Sequence, residues 1–222
     1  MQVTGSRKRN SDTQKGLSIW LRQGGQSFYE PLSELSVKES RQVRVVVEGP
    51  DCATFPKALA ESVDVEGLLA TTGVSLSDGE EIVVCSNDGP VCYALTVASE
   101  DIEAVRKWVP EGVELTFATP LMASVRRAVV GSRHSKTLAL QFGREELYVA
   151  LSVDGALVFT DVVMMGGEEE LLRFMAVLNE DFDLRKADIF VSGVEGKSRT
   201  KLLGRYFRRC KWEKEWADVY NK

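Results

Sequence analysis

Histidine and cysteine are the side chains that most often bind transition metals or act as nucleophiles, and this chain has few of them. His134 is the single histidine among 222 residues, and it lies in a basic stretch with no serine elbow motif nearby. A multi-histidine metal centre is therefore excluded, and we expect His134 to be a solvated loop residue. The sequence predicts no metal site and no catalytic residue.

The four cysteines show no metal-binding or redox spacing, since no pair forms a CxxC motif. With no apolar stretch of an export signal behind the polar first residues, a reducing compartment is expected. Cys85 and Cys92 flank a predicted hairpin turn. A disulfide between them and a pair of buried free thiols both stay open.

A dense basic run occupies residues 197–214, where eight basic residues stand against one acidic residue, Glu213. Three aromatic residues are interleaved with them. This combination is typical of nucleic-acid-binding surfaces, and a solvated helix face packed on a sheet would give the same pattern. Both interpretations stay open. The nucleic-acid-binding interpretation rests on a basic C-terminal helix over residues 198–207 and on Arg205, Arg208 and Arg209.

The overall composition is that of a globular protein, with 44% hydrophobic and 27% charged residues. The net charge of -5 at pH 7 favours neither nucleic acid nor an anionic membrane surface. No apolar run approaches the ~20 residues of a membrane-spanning helix. The sequence therefore predicts a soluble cytoplasmic protein without membrane insertion.

The elements that must position any site alternate between strands and helices. In the first part we expect a hairpin of strands 17–21 and 27–29 around Gly24-Gly25, a third strand and a helix. In the middle we expect two strands joined at a turn over 87–90, followed by further helices and a strand. The predicted ranges of these later elements are strands 42–48, 81–85, 91–97 and 113–118 and helices 55–63, 99–109 and 120–130, the last one capped by Thr119.

The opening pattern returns near residue 137. Three strands, a helix and a buried strand follow, and their predicted ranges are 137–142, 147–153, 157–164, 168–179 and 189–192. The segments 17–25 and 138–145 thus open two units with the same order of strand, turn, strand, longer strand and helix. The repeat favours a duplicated β-β-β-α architecture.

The segments 17–29, 101–130 and 138–207 carry a resemblance to a known family, with the junction Ala118-Thr119-Pro120-Leu121 and the pair Ser192-Gly193 within them. On the order and spacing of these segments, the chain resembles a family of uncharacterised bacterial proteins with an actin-like ATPase fold. That family is itself similar to the actin-like ATPases of pilus assembly. The resemblance implies the fold, whereas the family has no assigned activity.

The resemblance also implies where a nucleotide site would lie. Actin-like ATPases hold Mg-ATP between two hairpin turns, and an aspartate at the end of each first strand holds the water shell of the metal. Aligned on that pattern, these positions are Trp20 and Gln141, so both acids are missing. Glu145 and Glu146 add negative charge where phosphates would lie, and at ~4 Å each like-charge pair costs on the order of 4 kcal/mol.

Glycines that would let a backbone approach phosphate oxygens remain as a vestigial cleft. The resemblance assigns this role to Gly24, Gly25, Gly143 and Gly193. The plainer interpretation is that Gly24 and Gly25 form an ordinary hairpin turn and that Gly193 ends a strand. No cofactor is expected, and ATP is bound only if the altered loops still accept it.

The predicted fold class is α/β, a duplicated ribonuclease-H-like (actin-like ATPase) fold with two β-β-β-α-type halves and a small α+β insertion. Residues 1–16 are expected to be a disordered tail, 17–118 the first half with the insertion, and 119–222 the second half.

The predicted function is that of a non-catalytic actin-like protein, a pseudo-ATPase that acts as a scaffold or binds a protein partner. One alternative is a nucleotide-binding protein with altered phosphate loops. The other is a nucleic-acid-binding protein that uses the basic C-terminal helix.

Overall fold

The computed structural model of the protein describes residues 17–23, 42–87, 89–130 and 135–214. In these ranges the chain forms three sheets and five α-helices. The predicted tail 1–16, the predicted strand 27–29, the pair Gly24-Gly25 and His134 lie outside the described residues. Within the described ranges, no helix has both the length and the apolar character that a membrane crossing requires.

The first sheet is parallel and has three strands, in the order β1-β2-β6. They span Leu17–Arg22, Gln42–Glu48 and Glu114–Ala118. The central strand β2 is rich in valine, and Val43, Val45, Val46 and Val47 are all buried. A continuous apolar run of this kind is typical of a parallel strand covered on both faces.

The second sheet is antiparallel, in the order β3-β5-β4, and lies in the chain between β2 and β6. It is the α+β insertion that the sequence predicts. Its strands span Cys52–Pro56, Glu80–Ser86 and Val91–Ala98, and its helices are α1 (Val65–Thr71) and α2 (Ser99–Trp108).

The third sheet has five strands in the order β11-β10-β7-β8-β9. Strands β7, β8 and β9 form an antiparallel meander, and β10 and β11 continue the sheet parallel to β7. The order of β7, β8, β9 and α4 confirms the predicted strand-strand-strand-helix unit for this part of the chain. Strands β7, β8 and β9 span Lys136–Phe142, Glu146–Val153 and Ala156–Met164, and β10 and β11 span Asp188–Gly193 and Cys210–Trp212. Helix α4 spans Glu168–Phe182, and helix α5 spans Gly196–Leu203.

Helix α3 (Pro120–Val129) joins the sheets through one continuous core. It begins after Thr119, whose side chain accepts a hydrogen bond from the Leu121 N–H, as predicted. The Ser124 hydroxyl donates to the carbonyl of Tyr148 at 3.0 Å, so α3 lies along β8. Because the same core cluster contains residues of all three sheets, the sheets pack as one body.

Two expectations for residues 42–63 differ from the structure. Residues 55–63 are not a helix: Phe55 and Pro56 end strand β3, a single 3-10 turn (Lys57–Leu59) follows, and the helix begins after the capping residue Asp64. The reason is the period of burial, since Ala53 and Phe55 are buried and alternate with more exposed neighbours.

Strand β2 is not the third strand of an antiparallel meander, because it pairs with β1 in parallel. It occupies the place beside β1 that β10 occupies beside β7. The predicted repeat, in which strand 42–48 corresponds to strand 157–164, was therefore wrong for β2. The buried valines of β2 are typical of a parallel strand that is covered on both faces. The division of the chain into two duplicated halves stays a prediction.

Candidate functional site

The carboxyl ends of the parallel strands define the candidate site, since β1 ends at Arg22, β2 at Glu48 and β7 at Phe142. In parallel sheets, ligands bind at this edge. Neither predicted acid position carries an acid. Trp20 is 40% exposed in β1, and Gln141 lies in β7 between Tyr148 of β8 and Ser192 of β10.

An ion cluster joins the first and third sheets at this edge. Nη2 of Arg22 contacts Oε2 of Glu145, and it lies 3.4 Å from Oε1 of Glu146. The Glu145 side chain is 63% exposed, whereas that of Glu146 is 3% exposed. The buried carboxylate of Glu146 therefore has the guanidinium of Arg22, from the other sheet, as its partner. We name Arg22, Glu145 and Glu146 the cross-sheet cluster.

Glu146 also fills the turn that would cradle a phosphate. Its carboxylate oxygen Oε2 accepts a hydrogen bond from the Glu145 N–H at 3.3 Å, and its carbonyl accepts one from the Gly143 N–H at 2.8 Å. A Cβ on Gly143 would lie 3.0 Å from that same carboxylate oxygen. The side chain of Glu146 is thus an internal anion in the place of an external one.

Glu48 adds a third carboxylate beside the cross-sheet cluster, since it is the register partner of Arg22. Burial raises the pKa of Glu48, and the charge of Glu146 raises it further. Arg144 and Arg22 act in the opposite direction. The site thus holds three carboxylates and two guanidiniums, and a phosphate group would meet the carboxylates at close range.

Apart from the cross-sheet cluster, two contacts between uncharged groups link the third sheet to the other two. The Gly49 N–H donates to the Tyr148 hydroxyl at 3.0 Å, and the hydroxyl oxygens of Thr54 and Thr160 lie 2.7 Å apart. Gly49 has φ +149, and a Cβ there would lie 2.1 Å from the Gln23 side chain. A glycine is therefore needed for the chain to pass Gln23 and reach Tyr148.

The Gln23 side chain holds the junction between the first two sheets. Its Nε2 donates to the carbonyls of Asp51 at 2.9 Å and Thr96 at 2.7 Å, and its Oε1 accepts from the Asp51 N–H at 2.9 Å. The carboxamide thus hydrogen-bonds to backbone groups of Asp51 and Thr96 at a place where the strands of the two sheets do not pair with each other. Sequence reasoning missed this role, because no local pattern marks it.

Gly143 and Gly193 come together at the site, as Gly193 is the register partner of Phe142. Gly193 has φ +84, and a Cβ there would lie 2.0 Å from the Phe142 carbonyl oxygen. The Val194 N–H donates to that oxygen at 2.9 Å. The backbone itself therefore requires this glycine at the end of β10. Gly24 and Gly25 lie outside the described residues.

The basic candidates lie elsewhere and do not belong to a helix. Helix α5 ends at Leu203, so the predicted helix 198–207 was too long, and Arg205, Arg208 and Arg209 follow it in turns. Gly204 is a weak helix former, and burial of Phe207 in the core requires the chain to bend. Arg209 donates to the Lys186 carbonyl at 2.9 Å, whereas the other two arginines are exposed.

The cysteines are free thiols, and no disulfide links Cys85 to Cys92. Burial raises the pKa of Cys85 and of Cys210 to about 12 each, and it also raises the pKa of Cys52. In the described part of the chain, histidine, cysteine and acidic side chains form no group of three or more that could hold a metal ion. These thiols are therefore packing residues.

Sequence reasoning identified Glu145 and Glu146 as a barrier to phosphate, but it missed their contact with Arg22. The signal that could have revealed this contact is the opposite charge of Arg22 at the end of β1 and of Glu145 and Glu146 after β7. The contact of the Tyr148 hydroxyl with Gly49 was missed as well. The sequence of a buried strand does not indicate whether a tyrosine hydroxyl bonds within its own sheet or to another sheet.

No protein-family model matches the chain, and no curated protein matches it in sequence. Solved structures do match. A protein from Bacteroides thetaiotaomicron VPI-5482, described as having an actin-like ATPase fold and unknown function, superposes with a TM-score of 0.70 at 13% identity. The match covers 98% of this chain and 99% of that one.

A second match is the PilM-PilN type IV pilus biogenesis complex, with a TM-score of 0.53 at 12% identity. It covers 84% of this chain and 75% of that one. At these identities the likeness shows the fold alone, and the activity has to be argued from the residues of the site.

Proposed function

We propose that this chain, which has an actin-like ATPase fold, is a non-catalytic protein that acts as a scaffold or partner-binding subunit. The observation that carries the proposal is the position of Glu146. Its carboxylate accepts the Glu145 N–H and faces Arg22, so groups that could bind a phosphate already hold an internal anion.

The residues at the two acid positions support the same conclusion. Phosphoryl transfer in this fold uses a metal whose water shell is held by carboxylates, and Trp20 and Gln141 offer an indole and a carboxamide. Gln141 is a weaker ligand for a hard divalent cation than an aspartate, and Trp20 is none. Hydrolysis of ATP by this route therefore lacks a carboxylate at both of the positions that would hold the metal.

The partner is proposed to be another protein. One solved protein of the same fold, PilM, is found in a complex with PilN, and we extend that mode of action to this chain. The four free cysteines suit a reducing compartment, so the proposal places the protein in the cytoplasm.

One observation favours a second candidate, a nucleotide-binding protein with altered phosphate loops. Gln141 Oε1 and Ser192 Oγ are buried, and neither has a hydrogen-bond partner within the described residues. The two residues are register partners at the carboxyl ends of β7 and β10. A polar ligand would supply the missing partners, and its binding would not depend on a metal.

Thermal unfolding with and without 5 mM ATP or ADP, each with and without magnesium, separates the two candidates. A ligand at ~100 times its dissociation constant adds about 2.7 kcal/mol to the unfolding free energy, which raises the Tm by roughly 5–11 °C in a chain of this size. The first candidate predicts no shift. A shift that persists without magnesium and is lost in Gln141→Leu would replace it by the second candidate.

The partner-binding part needs its own measurement. The tagged protein is cross-linked in its own cells and purified, and the co-purified proteins are quantified with and without Mg-ATP in the buffer. We expect a recurrent partner whose recovery does not change with ATP. Recovery that requires ATP would contradict a non-catalytic scaffold.

A further inference from the structure

Six lysines and arginines between α5 and the end of the described chain are exposed and have no acidic partner among the described residues. They project from α5, from the turns that follow it and from β11. They are Lys197, Lys201, Arg205, Arg208, Lys211 and Lys214. They concentrate positive charge on one part of a protein whose net charge is -5.

The two acidic residues of this surface are held by other arginines. Glu195 pairs with Arg199 at 3.2 Å. Glu213 receives two hydrogen bonds from Arg127, at 2.6 and 2.7 Å. Arg127 and Arg199 are largely buried, so these two acids are neutralised from the protein side and do not pair with the six outer cations.

The cations of the helix form a row. Lys197 and Lys201 lie four residues apart on α5, where such residues share one face about 6 Å apart, and Arg205 follows at the same spacing in the turn after the helix. Leu202 and Leu203 occupy the opposite side and are buried in the core. The row therefore faces solvent along its whole length.

Two exposed aromatic rings accompany the row. Tyr206 is 62% exposed and stands between Arg205 and Arg208. Trp212 is 39% exposed and packs against the start of α5, with the ammonium of Lys197 4.6 Å from the centroid of its ring. Exposed aromatic rings beside a row of cations are the combination by which single-strand-binding surfaces stack bases and follow the backbone.

We propose that this surface, the basic face formed by Lys197, Lys201, Arg205, Arg208, Tyr206 and Trp212, binds single-stranded nucleic acid. Lysine and arginine would contact successive phosphates, and the two rings would stack on unpaired bases. The charges alone would also suit a duplex or an acidic protein segment. The exposed rings favour the single strand, because a duplex keeps its bases stacked and an acidic segment offers no base.

Fluorescence anisotropy of a labelled single-stranded RNA of about 20 nucleotides tests the proposal on the full chain at several KCl concentrations. Four phosphate contacts predict a slope of about -3 for the logarithm of the association constant against that of the salt concentration, at about 0.7 per contact. The triple variant Lys201→Ala, Arg205→Ala, Arg208→Ala should reduce the slope to about -1 and lower affinity at least ten-fold.

A matched control removes three exposed cations elsewhere, with the substitutions Lys57→Ala, Arg106→Ala and Lys107→Ala. It has the same net charge as the triple variant, and its affinity should stay within two-fold of the wild type. Tyr206→Ala and Trp212→Ala should each lower affinity about five-fold or more without changing the slope, since stacking is not electrostatic.

Several results would overturn the proposal. One is no anisotropy change at 50 mM KCl with tens of micromolar protein, and another is an equal loss in the control variant. Tighter binding of the matching duplex would contradict the single-strand preference. Competition by polyglutamate as strong as that by unlabelled RNA, with no effect of the aromatic variants, would assign the basic face to an acidic protein instead.

Discussion

Glu48 is the residue of the site whose ionisation costs the folded state most clearly. It lies at the end of β2, partly withdrawn from water and next to the buried carboxylate of Glu146. Both the burial and the neighbouring charge disfavour its ionised form, and the guanidiniums of Arg22 and Arg144 compensate only in part. Its pKa is therefore raised above that of the unfolded chain.

The raised pKa gives Glu48 a definite pH dependence. Below the pKa of the unfolded chain, near 4.3, Glu48 is protonated in both states and destabilises neither. As the pH rises, the unfolded chain releases the proton more readily, so stability is lost until the pH exceeds the folded pKa. Glu48→Gln should therefore raise the Tm by about 1–3 °C at pH 7.5, a modest value because the carboxyl is partly hydrated.

Thermal unfolding of the variant and the wild type at pH 7.5 and at pH 4 checks this expectation. The difference in Tm should disappear at pH 4. Glu81→Gln, on the exposed side of β4, is the control and should change the Tm at neither pH. A lower Tm for Glu48→Gln at pH 7.5 would show that the carboxylate is stabilised by the arginines after all.

At the scale of the elements, the cross-sheet cluster ties the end of β1 to the turn between β7 and β8. Removal of Arg22 leaves the carboxylate of Glu146 buried near Glu48 without its cross-sheet ion-pair partner. Breaking a buried pair from one side costs about 3–5 kcal/mol. Because the Arg22 side chain is 21% exposed, Arg22→Ala should lower the unfolding free energy by the smaller amount of about 2–3 kcal/mol.

A double-mutant cycle measured by urea unfolding isolates the contact. In the variant Arg22→Ala, Glu146→Gln the buried charge is gone, so most of the lost stability should return, with a coupling of about 1–2 kcal/mol. Arg173→Ala, which breaks an exposed pair with Glu169 on α4, is the matched control and should cost under about 0.5 kcal/mol. Strictly additive effects of Arg22 and Glu146 would rule out the cluster as a junction.

The elements also show which parts of the fold a single sequence can predict. Strands β7 and β8 are apolar and buried almost throughout, and turns that contain Gly143 and Gly155 separate β7, β8 and β9, so local reasoning found all three strands. Strand β3 was mistaken for part of a helix because Pro56 suits a first helical turn as well as a strand end. The parallel pairing of β2 with β1 depends on partners distant in sequence, and so does the contact of Arg22 with Glu146.

At the scale of the whole molecule, one core cluster crosses every sheet boundary. It includes the valines of β2, Cys85 and Tyr93 of the antiparallel sheet, and Ala139 and Tyr148 of the five-stranded sheet, with helix α3 between them. A separate cluster covers the other face of the five-stranded sheet under α4 and α5. An insertion that shares its core with both other sheets is expected to unfold together with them.

Thiol labelling tests this cooperativity at two distant points. Cys85 lies in the antiparallel sheet and Cys210 in β11, and burial raises the pKa of each to about 12, so neither should react quickly in the folded state. Two variants, each with one of these residues as its sole cysteine, are labelled in short pulses across a urea series. For each variant, the labelling midpoint should coincide with the midpoint measured by circular dichroism.

The two midpoints carry different information. Cys210 lies in an edge strand of three residues, so slight early labelling there would show fraying of β11 and leave the shared core intact. Cys85 is a member of the cluster itself. If it reacted well below the circular dichroism midpoint, the antiparallel sheet would be opening alone, and the contacts of Gly49 with Tyr148 and of Thr54 with Thr160 would be too weak to couple it to the rest. Coincident midpoints would instead show that the three sheets unfold as one cooperative unit.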